Sequence, residues 1–282
     1  MANPVDIGES RWVKLPSVGG LKIHYVMAGR GRPVVLLHGL GGSLVVWRDN
    51  IAALAKRYTV FALDMPGHGD SDNPAADYSL ETYTAWLEAF RKSLGIGPLT
   101  VIGNSAGGLL ASNYARSHRD QVEKLVLVDS AGLGRDVAWY VRLLSIPLLG
   151  EFMESAVARR PANMLRTAFA DGRFATRELA MELYRSRVMK GATRAVVKPV
   201  RQIVNLFGVR REALLTNQLA LLKIPTLILW GEEDRLVPVA HGIEAARRIP
   251  GARIHVFPNC GHWPQMERAE EFNKLVLEFL GA

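Results

Sequence analysis

Cysteine is almost missing from this chain. One residue, Cys260, in 282 excludes an intramolecular disulfide and any all-cysteine metal centre, which fits a reducing compartment. Long apolar runs are missing too. Leu143 to Leu149 and Thr226 to Trp230 are among the longest, far short of the roughly 20 residues that cross a bilayer. The first residues, Met1 to Asp6, lack a basic stretch followed by an apolar one, so no secretory leader and a cytoplasmic location are expected. Acidic residues run short in one region only. Between Arg135 and Glu212 stand 15 Lys or Arg against 7 Asp or Glu, a local excess equal to the whole net charge of +8. That excess suits either a solvated arginine-rich surface or peripheral contact with an anionic membrane. No nucleic-acid motif accompanies it, so no nucleic-acid partner is expected. The sequence leaves the oligomeric state open.

What the chain does have is apolar substance, 49% of its residues, enough for one large core with a modest second unit. Apolar runs recur at Pro33–His38, Tyr58–Asp64, Leu99–Ile102, Leu125–Asp129, Thr226–Trp230 and Arg253–Phe257. Runs of this kind suit strands buried on both faces, hence a mostly parallel sheet. Two shorter strands, Arg11–Leu15 and Leu21–Val26, precede them, and the alternation of the second suggests a half-exposed edge hairpin. Amphipathic stretches such as Leu80–Leu94 and Ala106–Arg116 lie between most strands, so the class is α/β with eight strands flanked by helices. The alternation stops between Gly132 and Leu222, where helical periodicity at Val141, Leu144, Leu148, Leu179 and Leu183 persists without a convincing strand. That stretch is too long for a loop. It is expected to be an inserted helical lid, 133–222, cut into pieces by Pro147, Pro161 and Pro199; residues 1–132 and 223–282 then form the core domain.

One stretch organises the rest: Val101-Ile102-Gly103-Asn104-Ser105-Ala106-Gly107-Gly108. A strand that stops at glycine, shows one hydroxyl and resumes as a helix suits a nucleophile elbow, whose serine is strained and whose helix N-terminus favours negative charge. A serine needs a base to remove its proton and a third group to hold that base. Of seven histidines, His24 and His255 fall within strands, His118 ends a helix and His241 starts one. His38 and His68 sit in glycine-rich turns, where bonding to loop backbone is the expected duty. His262 follows the last strand in Asn259-Cys260-Gly261-His262-Trp263-Pro264, at the sheet edge where α/β folds bind ligands, and is the expected base. Asp234, after the penultimate strand, is the expected orienting acid, with Asp129 as its rival.

His38-Gly39-Leu40-Gly41-Gly42, Asp64-Met65-Pro66-Gly67-His68-Gly69-Asp70-Ser71, the elbow, the Asp234 loop and Gly261-His262 occur in one order. In that order the chain resembles the α/β-hydrolase fold over essentially its full length, in the branch with a serine nucleophile. The resemblance implies catalytic Ser105, Asp234 and His262, an oxyanion hole from the backbone N–H groups of Leu40 and Ala106, and no cofactor or metal. Gly103-Asn104-Ser105 and the tail from Cys260 to Asn273 are similar to hydrolases that cleave carbon–carbon bonds in meta-cleavage products, which implies substrate contacts from Asn104 and Trp263. Two features depart from that subgroup: Asp49 stands where it has a second asparagine, and Leu183 falls near its lid arginine while Arg185 and Arg187 lie out of register. An added acid where an anionic dienol would bind argues against that chemistry. The expected function is therefore hydrolysis of small-molecule carboxylic esters with an apolar acyl or alcohol part. Gly39, Trp139 and Leu143 are further expected substrate contacts, and Leu144, Phe152 and Phe169 further lining of an acyl pocket. The alternatives are the carbon–carbon hydrolase, a lipase at anionic lipid surfaces, and a ligand receptor with slow turnover.

Overall fold

A computed structural model describes residues 8–221 and 223–281 of the chain, without the side chains of Pro161 and Met164. Eight strands make one sheet: β1 (Glu9–Leu15), β2 (Leu21–Ala28), β3 (Arg32–Leu37), β4 (Tyr58–Leu63), β5 (Leu99–Asn104), β6 (Val122–Val128), and, after a two-stranded hairpin β7 (Val204–Asn205) and β8 (Gly208–Val209), β9 (Thr226–Gly231) and β10 (Arg253–Phe257). The sheet order is β1-β2-β4-β3-β5-β6-β9-β10. β1–β2 and β2–β4 are antiparallel and every later pair is parallel.

The continuous apolar runs behave as a two-sided burial requires, because successive side chains of a strand point to opposite faces. Val35, Leu37, Val101, Leu127 and Trp230 join one core cluster, while Val34, Leu36, Ile102, Val128 and Leu229 join the other. Helices Leu80–Ser93 and Ala106–Ser117 lie on the first face and helix Ala269–Leu280 on the second. The first of these starts at Ser79, whose hydroxyl accepts the Thr82 N–H at 3.1 Å, as an N-cap should. β1 is the edge strand, as expected. β2 is not half exposed: it lies between β1 and β4 and buries five of its first six residues, Lys22 excepted.

Between β6 and β9 the chain is helical, with helices Trp139–Leu143, Leu149–Ala158, Pro161–Ala168, Arg177–Arg187, Ala192–Ile203 and Thr216–Leu219. Three of its features differ from what the sequence implied. The stretch does contain strands, the hairpin β7–β8. Leu148 does not continue a helical stripe: it adopts φ +65° ahead of the next helix and is 83% exposed. Pro199 lies inside helix Ala192–Ile203 and does not divide it. A proline forfeits one backbone bond, and the buried stripe Ala195, Val196, Val197 and Val200 holds that helix against the core regardless. Leu179 and Leu183 are fully buried, as their spacing implied. Among the described residues no helix is long and apolar enough to cross a membrane.

Candidate active site

β5 ends at Asn104, the next helix starts at Ala106, and Ser105 between them adopts φ 57°, ψ −119°. That is a strained conformation for a residue with a Cβ. The turn closes only because two neighbours are glycine. A Cβ on Gly103 would lie 2.2 Å from Gly107 O, and one on Gly107 would lie 2.3 Å from Leu37 O. The packing fixes Ser105 above the carboxyl ends of β3 and β5. Gly39 approaches it closely enough that a Cβ there would lie 3.0 Å from Ser105 Cβ. Leu40 follows Gly39 in that loop and Ala106 opens the helix after Ser105, and neither backbone N–H is used by a loop, cap or side-chain bond among the described residues.

The loop after β10 brings His262 to the same edge, where its Nδ1 lies 2.7 Å from Asp234 Oδ2. Both side chains are almost wholly buried. Asp234 Oδ1 accepts the N–H groups of Leu236 and Val237 at 2.7 and 3.2 Å, so the carboxylate is held by its own loop. The imidazole bond therefore goes to Asp234, and Asp129 takes a different place. Ligand atoms of Asp129, Asp234 and His262 all lie within 4.8 Å of one another. Two buried carboxylates so close repel by about 4 kcal/mol at an effective dielectric near 20. Asp234 accepts three hydrogen bonds; Asp129 accepts one, from Gly231 N at 3.0 Å, and its Oδ2 accepts none among the described residues. Burial first, and then the Asp234 charge, push Asp129 well above the usual carboxylate range. Hydrogen bonding and burial thus favour the charge on Asp234 and the neutral form on Asp129. The other histidine–carboxylate cluster of metal-binding size, His24, Asp64 and Asp70, has its central carboxylate already occupied by three N–H donors.

Ser105 Oγ makes no hydrogen bond to His262 Nε2 among the described residues. What joins their two loops is the Asn104 side chain. Asn104 Nδ2 donates to His262 O at 3.1 Å and to Val128 O at 3.2 Å, tying the elbow to the histidine loop. Asn104 is fully buried, with Oδ1 unpartnered and aimed toward Gly39. His262 N donates to Ala168 O at 2.7 Å, and Trp263, only 6% exposed, packs edge-on against Phe169. Glu267, which the sequence did not suggest, clamps this arrangement: its carboxylate accepts the N–H groups of Gly261, Ala170 and Asp171.

His38 and His68 serve the loops, as expected. Met65 N donates to His38 Nε2 at 3.0 Å, so His38 Nδ1 carries the proton and donates to Gly39 O at 2.7 Å. Burial lowers the pKa of both rings, that of His68 to about 3 with a further contribution from His38. Both are neutral when folded, whereas an unfolded imidazole takes up a proton near 6.5. Their contribution to stability is thus complete above pH 6.5 and is lost as pH falls toward 3, at up to about 1.4 kcal/mol per unit for His68. Urea unfolding between pH 7 and 4.5 is expected to show a shallower loss in His68→Gln than in the natural protein.

The apolar surroundings differ from the expectation. Trp139 and Phe152 are 70% and 74% exposed, and Leu143 is half-buried with no contact to the elbow among those described. Tyr140 faces inward instead, its hydroxyl pushed up to about 12 by burial and then by the Asp234 charge. Leu40 packs with Val137, Val141, Leu144, Val200, Val204 and Val209 where the helical segment meets the loop after β3. A five-residue helix has no stable period by which sequence could choose among its faces. The Arg187 guanidinium, one helical turn beyond Leu183, is buried against Gly41, with Nη1 3.4 Å from Gly41 O and Nη2 paired to the buried Glu154.

Ordered loop, strained serine, helix N-terminus and histidine–aspartate pair at the carboxyl edge of a mostly parallel sheet define the architecture. A profile of the alpha/beta hydrolase fold matches residues 32–269. The chain belongs to the α/β hydrolase family. Among its relatives, the dihydrolipoyllysine-residue acetyltransferase component of an acetoin-cleaving system from Cupriavidus necator is 35% identical over 268 residues, covering 94% of this chain and 68% of that protein. A 2-hydroxy-6-oxononadienedioate/2-hydroxy-6-oxononatrienedioate hydrolase from Comamonas testosteroni is 30% identical over 283 residues, covering 96% of each. The solved meta-cleavage product hydrolase CumD from Pseudomonas fluorescens IP01 superposes with a TM-score of 0.81 at 29% identity, over 99% of both chains. The family makes this chain a hydrolase, with meta-cleavage product hydrolases among its homologues.

Proposed function

We propose that this hydrolase cleaves carboxylic esters with an apolar acyl or alcohol part through an acyl-enzyme. Ser105 Oγ attacks the ester carbonyl while His262 takes its proton, and His262 returns that proton to the departing alcohol. Attack requires the serine side chain to turn toward Nε2, since bonds at such sites tighten on substrate binding. Asp234 holds the ring with Nε2 as acceptor. The N–H groups of Leu40 and Ala106 receive the oxyanion, each contributing on the order of 3 kcal/mol to the transition state. Water then repeats the sequence to release the acid. The helical segment 133–222 acts as a lid, a role supported by the bonds from His262 N to Ala168 O, from Arg187 Nη1 to Gly41 O and from Ala138 N to Leu236 O.

The observation that carries an ester substrate over a dienoate is the Arg187–Glu154 pair. An anionic substrate needs a cation beside the loop after β3. Among the described residues, the cation buried there is already paired with a buried carboxylate. A neutral ester makes no such demand. The Leu40, Val141 and Leu144 cluster offers it an apolar wall. p-Nitrophenyl esters of graded acyl length, run beside a coloured dienol meta-cleavage product, test this: ester turnover at least about 100-fold faster is expected, equivalent to roughly 3 kcal/mol. Faster cleavage of the dienol would overturn the ester reading and favour the carbon–carbon reading, which the names of the Comamonas and Pseudomonas relatives support.

The same segment supports a contact with anionic lipid surfaces. Trp139, Leu148, Phe152 and Phe207 are all at least 70% exposed, in the stretch that holds the positive excess. Apolar insertion beside basic residues favours such surfaces. Co-sedimentation with vesicles containing phosphatidylserine is expected at low salt, with loss as salt rises and a clear reduction in Trp139→Ala/Phe152→Ala. Equal sedimentation with neutral vesicles would count against it.

A further inference from the structure

A second serine, histidine and aspartate are hydrogen-bonded in sequence, away from the elbow. Ser10 Oγ lies 2.8 Å from His24 Nε2, and His24 Nδ1 lies 2.7 Å from Asp64 Oδ2. Asp64 is anchored from all sides: Oδ1 accepts Leu44 N at 2.8 Å, and Oδ2 also accepts Asp70 N at 2.9 Å. Because this carboxylate accepts from Nδ1, the proton of a neutral ring sits there and Nε2 is left to accept. Ser10 is therefore the donor. His24 is itself fixed, its backbone N–H donating to Ser71 Oγ at 2.8 Å while Ser71 Oγ donates to Asp64 O at 2.7 Å. Base and orienter are buried, whereas Ser10 is exposed on the edge strand β1. The sheet register explains the meeting. Ser10 pairs with Val26 and Trp12 with His24, so Ser10, Trp12 and His24 share one face of the hairpin. The Trp12 ring lies 4.6 Å from the His24 ring, centroid to centroid, and is 52% exposed. An oriented base within reach of a hydroxyl is the arrangement that activates a serine.

We propose that Ser10 is a second nucleophile, acylated by activated aryl esters whose ring rests on Trp12. In the step, Ser10 Oγ forms a bond to the acyl carbon and the aryl oxygen leaves. His24 Nε2 takes the Ser10 proton and passes it to that oxygen, giving an acyl-serine and a phenol. The loop N–H and helix N-terminus that could hold an oxyanion belong to Ser105, so acylation at Ser10 is stoichiometric and does not turn over.

The test uses full-length Ser105→Ala, which separates this site from the elbow, and p-nitrophenyl acetate, with peptide mass spectrometry as the readout. One acetyl group is expected on Ser10, at a rate about 100-fold above that of the same protein in urea, the scale of general-base assistance. Ser10→Ala should remove it, and His24→Gln should slow it to the urea rate. Equal rates in folded and urea-unfolded protein, or acetyl elsewhere but not on Ser10, would overturn the proposal; the native-against-urea comparison decides even where His24→Gln does not fold. Neither result bears on Ser105, which is absent from the test protein.

Discussion

Ser105→Ala is expected to lower kcat for p-nitrophenyl butyrate by about 10^5-fold while leaving thermal unfolding nearly unchanged. Removing a nucleophile from a cooperating triad costs on this order, because the remaining members then have nothing to activate. The small structural effect follows from the backbone. Ser105 is strained at φ 57°, and its hydroxyl supports no hydrogen bond within the fold among those described. Alanine keeps the same Cβ and loses only the reacting atom. Steady-state kinetics on both proteins, with matched melting curves, measure the effect, and a loss below about tenfold would remove Ser105 from the mechanism.

The two acids at the site should separate as sharply. Asp234→Asn is expected to cost about 10^4-fold in kcat, since an amide in place of the carboxylate favours the wrong imidazole tautomer. Asp129→Asn should cost about tenfold at most, because Asp129 makes no bond to His262 and its burial favours the neutral form, which an amide resembles. The same substitution has a signed effect on stability. Burial favours the protonated form of folded Asp129, whereas the unfolded chain releases that proton above pH 3.8, its ordinary value. Stability is therefore lost as pH rises from there toward the raised folded value. The amide of Asp129→Asn does not titrate, so the variant should gain on the natural protein as pH rises above about 4 in urea melts. An equal kinetic loss in both variants would contradict the assignment of the proton.

The fold was largely legible because the strands that position the site are unambiguous. Val34 to Leu37 and Val101 to Ile102 are apolar at successive positions, and only a strand covered on both faces uses such a run. The elbow was legible for a steric reason, since Gly103 and Gly107 are demanded by backbone atoms 2.2 and 2.3 Å from where a Cβ would stand. Side-chain partnerships across long sequence distances were not. Choosing between Asp129 and Asp234 needed the distance to His262. Glu267 closes three N–H groups from two separate segments, a role no local pattern encodes. Arg187 lies one turn beyond the expected position, and only the packing of its helix shows that it reaches Gly41. The surface of the helical segment between β6 and β9 misled for a related reason: Trp139 and Phe152 are apolar yet exposed, and composition does not say which side of a short helix faces in.

The most direct measurement is peptide mass spectrometry of the natural protein, acid-quenched during turnover of p-nitrophenyl butyrate. A butyryl group is expected on the peptide containing Ser105, formed as fast as the first equivalent of p-nitrophenol appears. Full-rate turnover with that peptide unmodified at every quench time, and undiminished in Ser105→Ala, would contradict it.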